Sequence, residues 1–361
     1  MNRNELSSLA LLSVLAGCFS PPLQPTPPLE LPGPVLHVIL VSVDGLRPDA
    51  FDVLGPEQAP HFFRLRSEGA STANARTDPK LASTLPDHTS QLTSRPVFGS
   101  EGHGWILNTD PGSPSTIHIL KGEYVPSVFD VVHDSGFSTA LYASKDKFEL
   151  LARSWGRFGA EDPTGIDNGH NKLDAVLIEG DVNALVQTFL EDFGASPVTC
   201  AFLHLREPDS TGHDSGWDLS PGSDYLEAVR AVDRAVGALM ALVESSPLRD
   251  STVLIVTADH AGDLGTDGHI LLPDVGLYES GIIPFYVWGV TVTPGADLYA
   301  LNTTTRADPG RTIPPMSRPL QPIRNGDAGN LALQLLGLPP IPGSTINARH
   351  DLSVTRALLS P

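Results

Sequence analysis

Cysteine is scarce in this chain, with two residues in 361, and so is positive charge: 23 lysines and arginines stand against 42 aspartates and glutamates, a formal net charge of −19. Two cysteines are too few for a disulfide-stapled scaffold. One of them, Cys200, sits in the apolar run VTCAFLHL and reads as an inert core thiol. The acidic balance, with no block of Lys or Arg, excludes a protein that tracks along a nucleic acid backbone, although a small anion could still be drawn to a locally positive site. Internal repeats are lacking too. What is there is 40% hydrophobic and 18% charged residues, over a length that suits one large α/β unit with a substantial core.

The apolar stretch LALLSVLAGC near the start is too short to span a bilayer and ends in small residues before Cys18, the pattern of an exported chain. Its LAGC ending resembles a bacterial lipoprotein signal. That implies a diacylated Cys18 and a membrane-anchored domain in the periplasm or at the cell surface; an ordinary secretory signal cleaved nearby is the alternative. The following FSPPLQPTPPLELPGP is Pro-rich and aperiodic, as an extended spacer would be. The organisation read from the sequence is therefore a signal over 1–18, a linker over 19–35 and the folded domain over 36–361.

From residue 35 on, strand-like and helix-like patterns alternate. The runs at 35–44, 137–144, 198–205, 251–259 and 283–289 predict strands. APHFFRLRSEGA, VPSVFDVVHDSG, DYLEAVRAVDRAVGALMALVESS and GDAGNLALQLLGL predict helices, with a further helix beginning at DHTSQLTS. Continuous apolar strands separated by helices predict a mostly parallel sheet covered on both faces. Such sheets bind ligands just past the carboxyl ends of their strands.

Polar residues gather at those ends. Asp44 closes the first strand, Asp259 closes LIVTADH beside His260, and REPDSTGHD sets Asp209 and His213 four residues apart after the AFLHL strand; His269 follows in GTDGH. An Asp after a strand is by itself more often a cap or turn former. Three buried carboxylates together would repel unless a positive group lay between them, and a mixed oxygen and nitrogen set suits zinc. Ser83 and Thr84, just before the helical DHTSQLTS, put a hydroxyl at a helix N-terminus, where an anion is favoured; as a lone pair they read as an N-cap or ST-turn.

In this order, VSVDGLRPDAF, STLPDHTSQLTSRPVFGSEGHGWILN, EPDSTGH and TADHAGDLGTDGH resemble the alkaline phosphatase superfamily, and within it the type I phosphodiesterase and nucleotide pyrophosphatase branch. The likeness extends to PIRNGDAGNLALQLLGLPPIPGS. It implies an alkaline phosphatase-like α/β fold with a central, mostly parallel sheet and helices on both faces. The implied activity is metal-dependent hydrolysis of phosphodiesters or nucleotide pyrophosphates through a phosphothreonine intermediate at a di-zinc site, with manganese as the other candidate. Thr84 becomes the nucleophile. One zinc falls to Asp44, Thr84, Asp259 and His260, the other to Asp209, His213 and His269, and Asn108 stands where the branch has an asparagine that hydrogen-bonds a phosphoryl oxygen. Two zinc ions against three carboxylates leave the site at about +1. Asp87 replaces the family's usual Asn, and Ala261 stands where Gly is commoner. His269 follows His260 so closely that His350 competes for its role.

Lys145 and Lys147 in YASKDKFELLAR resemble the paired cations of phosphonoacetate hydrolases and of a threonine-type alkaline phosphatase branch, which hold an extra negative charge on the substrate. That implies a phosphomonoesterase or phosphonate hydrolase; a solvated helix start is the plain alternative. STLPDH lacks the arginine of a sulfatase, and a phosphoglycerate mutase would use a serine and an inserted domain. A reading from another class is a non-catalytic, metal-stabilised surface lipoprotein that binds a phosphorylated ligand. His37, His61, His88, His103, His133, His170 and His204 are assigned to structure, with His88 the candidate to stand behind the ligands. Nothing in the sequence speaks to oligomeric state.

Overall fold

The computed structural model describes residues 33–157, 170–245, 247–262, 270–271 and 279–356. The signal over 1–18 with Cys18, most of the 19–35 linker, and His269 lie outside the described residues. Among the described residues no helix is long and apolar enough to cross a membrane.

Ten strands form: β1 His37–Val43, β2 Ala70–Arg76, β3 Leu81–Ala82, β4 Thr139–Ala143, β5 Ala175–Ile178, β6 Cys200–Leu205, β7 Thr252–Ala258, β8 Ile270–Leu271, β9 Ile282–Gly289 and β10 Ala296–Asp297. Eight of them make one sheet in the order β10-β2-β9-β7-β1-β6-β4-β5, and β3 pairs with β8 in a small second sheet. Only β9 runs against its neighbours, so the expected mostly parallel sheet is found. The central strands β1, β6 and β7 are buried almost throughout, which is why they read as unbroken apolar runs rather than alternating ones.

Helices cover both faces. Asp224–Glu244 packs against Pro60–Glu68 and Val182–Ala195, while Thr84–Thr93, Val128–Asp134 and Asp327–Leu336 pack together. Along Asp224–Glu244 the buried Leu226, Val229, Val232, Val236, Met240 and Val243 recur at the helical period, and Ser223 caps it by accepting from the Leu226 N–H.

The helix expected to begin at Asp87 starts at Thr84, ahead of Pro86. Proline is tolerated there because the first-turn N–H groups have no intrahelical partner. Every residue of Thr84–Thr93 is buried, and its hydroxyls are satisfied locally: Thr89 Oγ1 donates to Leu85 O and Thr93 Oγ1 to Thr89 O, both at 2.7 Å.

Candidate metal centre at the strand ends

β4, β6, β1 and β7 are neighbours and parallel. Their register aligns Val43 with Ala258 and Leu205, and Ala143 with His204. The residues that follow leave the sheet at one level, and these are Asp44, Asp259 with His260, Ser144 with Lys145, and the chain entering Glu207–Ser215. That last segment is helical, so Asp209 and His213, at i and i+4, share one face. The backbone knits the cluster: Asp209 N–H donates to Asp44 O at 3.1 Å, and Gly45 N–H to Asp259 Oδ1 at 3.0 Å. Gly45 is required at its place, since its φ is +68° and an added Cβ would lie 2.8 Å from both Asp209 Cα and the Trp217 ring.

Asp44, Asp259 and His260 each offer a ligand atom, and these atoms lie within 4.8 Å of one another, all buried. His260 Nε2 is 3.3 Å from Asp259 Oδ2, 3.6 Å from Asp44 Oδ1 and 3.9 Å from Asp209 Oδ1. His213 Nε2 is 3.3 Å from Asp209 Oδ1, and Thr84 Oγ1 is 3.5 Å from Asp44 Oδ1. Six of the seven predicted ligands thus meet. His350 does not join them: it sits in a C-terminal turn, its N–H on Asn347 O, and no hydrogen bond or ion pair links it to the site carboxylates.

Lys145 corrects the solvated reading of its segment. Its ammonium is largely buried and bridges Asp44 Oδ2, at 2.6 Å, and Asp209 Oδ2. Burial works against its charge, yet the two carboxylates outweigh it and hold Lys145 above the usual lysine range. Lys147 is half-buried and reaches Asn108 Oδ1 at 3.2 Å; burial and then the Lys145 charge lower it. Asn108 Oδ1 also accepts from Leu85 N–H at 3.1 Å, which sets the amide oxygen toward the Thr84 helix.

The charges do not balance. Burial raises Asp44, but Lys145 and then His204 overcome it and keep Asp44 well below the carboxylate range. Burial and Asp44 push Asp209 up, while His213, Lys145 and His260 bring it to about 2. Asp259 is left over: burial and then the Asp44 and Asp209 charges raise it well above the usual range. Asp259 Oδ2 and Asp209 Oδ1 are buried, and the nearest possible donors among the described residues are imidazole nitrogens, His260 and His213, at 3.3 Å each. Such oxygens beside two imidazoles are a donor set that divalent cations complete, and the mixture of O and N fits zinc.

Two histidines stand behind the candidate ligands. His88 joins Thr84 O at 2.6 Å to Ser42 Oγ at 2.9 Å, the supporting place expected of it. His204, assigned to structure from the sequence, lies with Nε2 3.0 Å from Asp44 Oδ2 and Nδ1 3.1 Å from Ser144 Oγ. Its signal in the sequence is a lone imidazole inside an apolar strand, one residue before the strand ends. Burial lowers both, so each is a neutral imidazole whose ring nitrogens orient a partner.

A family profile described as type I phosphodiesterase / nucleotide pyrophosphatase matches residues 38–267. The chain belongs to that family. Human ectonucleotide pyrophosphatase/phosphodiesterase family member 7 is 37% identical over 250 residues, 66% of this chain and 52% of the relative. The chain thus spans about half the length of the curated relatives it matches. Among solved structures, murine family member 5 superposes with a TM-score of 0.56 at 17% identity, covering 88% of this chain and 100% of the other; an inactive threonine-to-alanine form of it is in complex with AMP. A Vibrio parahaemolyticus protein of the alkaline phosphatase superfamily reaches 0.54 at 14% identity, over 91% of this chain and 71% of its own. These likenesses establish the alkaline phosphatase-like fold.

Proposed function

We propose that this family member is a metal-dependent phosphoric ester hydrolase acting on phosphodiesters or nucleotide pyrophosphates, with Thr84 as nucleophile. The observation that carries the reading is the convergence of Thr84 with three buried carboxylates and the imidazoles of His213 and His260. Asp44, Thr84, Asp259 and His260 would hold one zinc ion and Asp209 and His213 a second, with His269 as its further ligand; manganese suits the same donors. Bound, these ions supply the positive charge that makes a threonine hydroxyl acidic and offsets charge on a phosphoryl group.

The protein's own part is positioning, which dominates phosphoryl transfer. Thr84 begins a helix, so its hydroxyl sits at the positive end of the dipole, where an incoming phosphoryl group is favoured. Attack of Oγ1 on phosphorus expels the ester oxygen in line and forms phosphothreonine; water then breaks the P–O bond to Thr84 and releases a monoester or phosphate. Asn108, fixed through its Oδ1, turns its amide to a phosphoryl oxygen. Murine family member 5 with AMP supports a nucleotide-bearing substrate. A second reading, a phosphomonoesterase or phosphonate hydrolase, is favoured by Lys147 at Asn108, since a lysine there answers a charge that a diester lacks. The domain works outside the cell on a lipid anchor at Cys18, a reading supported by LAGC and the Pro-rich segment after it.

The test compares p-nitrophenyl phosphate, bis-p-nitrophenyl phosphate and a nucleotide p-nitrophenyl ester on zinc-loaded protein. A diester preference, with turnover lowered by about 10⁴-fold or more in Thr84→Ala and circular dichroism unchanged, is expected. A monoester preference selects the second reading. A wild type that binds phosphate tightly but turns over none of the three esters would leave a surface binding protein.

A further inference from the structure

We infer that Asp87 is a positioning residue whose carboxyl group holds the turn that presents Thr84, and that it acts on turnover rather than on metal binding. This rests on the role given to Thr84 above.

Asp87 is fully buried on the helix that Thr84 begins, in the turn after it. The N-cap residue Ser83 makes no side-chain cap bond. In an ordinary capping box the residue three past the cap reaches back to the cap's N–H, but here that place is Pro86. Asp87, one further on, does it instead: Ser83 N–H donates to Asp87 Oδ2 at 2.7 Å, while Asp87 N–H donates to Ser83 O at 3.0 Å. The other oxygen, Oδ1, gathers the chain that approaches the turn. It meets the Thr77 hydroxyl and accepts from Asp78 N–H and Asn325 Nδ2, both at 3.2 Å. Asn325 Nδ2 donates in turn to Asp259 O at 2.9 Å, so one carboxyl group ties the nucleophile's turn to the end of β7.

No Lys or Arg donates a hydrogen bond to Asp87 among the described residues. Burial lifts it to about 8, against the bonds from Thr77, Ser83 and Asn325, with the Asp78 charge adding to the rise. A mainly neutral acid suits the contact with the Thr77 hydroxyl, since either oxygen can donate. It also adds no charge to a cluster that already has one carboxylate too many.

Asp87 touches neither Asp44 nor any imidazole of the metal set, and its bond to Ser83 constrains the residue next to Thr84. Loss of that bond therefore loosens the aim of Oγ1 and leaves the carboxylate and imidazole ligand atoms where they are. Asp87→Ala removes the acceptor; Asp87→Asn restores one oxygen to face Ser83 N–H.

The experiment measures steady-state kinetics on bis-p-nitrophenyl phosphate, zinc content, and hydrogen exchange of the peptide over 81–87. For Asp87→Ala the expected result is a kcat lower by about 10–100-fold with KM within about threefold. Zinc content stays at the wild-type level, and exchange rises at 81–87 but not in the Asp224–Glu244 helix; Asp87→Asn returns kcat to within about threefold of wild type. Unchanged kcat and exchange in Asp87→Ala, or an Asn variant as impaired as Ala with zinc lost from both, overturns the inference. If Asp87→Ala does not fold, Asp87→Ser, whose hydroxyl lacks the reach to Ser83 N–H, takes its place under the same readouts. The exchange data decide the hold on the turn even if no ester is turned over, so a failure of the hydrolase reading stays separate from a failure of this one.

Discussion

Two regions of this molecule bury charge to the same depth and treat it in opposite ways. Beside β2, Arg76, Arg306 and Arg324 are 7% exposed or less, as are Asp78 and Asp327. There the hydrogen bonds are supplied. Arg324 donates to Thr77 O at 2.8 Å and Pro314 O at 2.6 Å, Arg76 to Thr312 O and Gly310 O, and Arg306 to Asp327 and Asp351 at 2.8 Å each. Asp78 takes the N–H groups of Lys80 and Val97, and Asp327 that of Arg324. At the strand ends, Lys145 pairs with Asp44 and Asp209 but with no oxygen of Asp259 among the described contacts, and Asp209 Oδ1 and Asp259 Oδ2 face imidazole nitrogens, the nearest at 3.3 Å. Burial alone does not mark a functional site. An incomplete set of partners around a buried charge does, because a fold tolerates that cost only where something else completes the set.

If the β2 cluster is structural, breaking it should be expensive and functionally silent. Arg306→Met leaves Asp327 and Asp351 short of their donor, and should destabilise the protein by about 3–5 kcal/mol. Urea denaturation measures this, and kcat per folded molecule should not change.

The strand-end cluster should respond with the opposite sign. Asp259→Asn removes the carboxylate that burial and its neighbours penalise while keeping an oxygen for Gly45 N–H. At pH 8 and without metal it should stabilise the chain by about 1–2 kcal/mol, while weakening zinc binding. Urea midpoints and zinc titration check the two halves, and a destabilised metal-free variant would erase the contrast between the regions.

The smallest effect is on pH dependence. Between pH 7 and 8 the histidines that burial lowers, His37, His88, His103, His204, His260 and His350, are neutral in the fold and mostly neutral in the unfolded chain, and Asp44 and Asp209 are ionised in both. Asp87, lifted by burial to about 8, and Asp259, lifted by burial and its neighbours, hold protons in the fold that the unfolded chain has lost. Stability of the metal-free protein therefore falls as pH rises through that window. Its urea midpoint should be lower at pH 8 than at pH 7; a higher one would mean that these acids are ionised in the fold.

The same comparison explains what the sequence disclosed. The strand ends were legible because parallel central strands are apolar throughout, so an acid that closes one stands out, as Asp44 and Asp259 do. The pair Asp209 and His213 was legible by spacing. β2 was missed: ASTANAR is built of small and polar residues, and its register shifts between Thr72 and Ala75. β5 escaped because it is a four-residue edge strand, partly exposed along its length. His204 and Asn325 could not be placed from the sequence, since their roles depend on which strand or loop lies opposite. From the sequence Lys145 reads either as a cation for the substrate or as a solvated helix start, and only the fold shows it turned in between two carboxylates. Asp87 stood out as a substitution, yet its bond to Ser83 N–H depends on Pro86 displacing the usual capping pattern.

If the strand-end acids are cation ligands, metal should stabilise the fold. Thermal unfolding of metal-stripped protein, with and without zinc at 100 times its dissociation constant, tests it most directly. Tm should rise clearly, by the equivalent of about 2.7 kcal/mol per bound ion, and the rise should be lost in an Asp44→Ala, Asp209→Ala double variant. An unchanged Tm in the wild type, or an equal rise in the double variant, would contradict it.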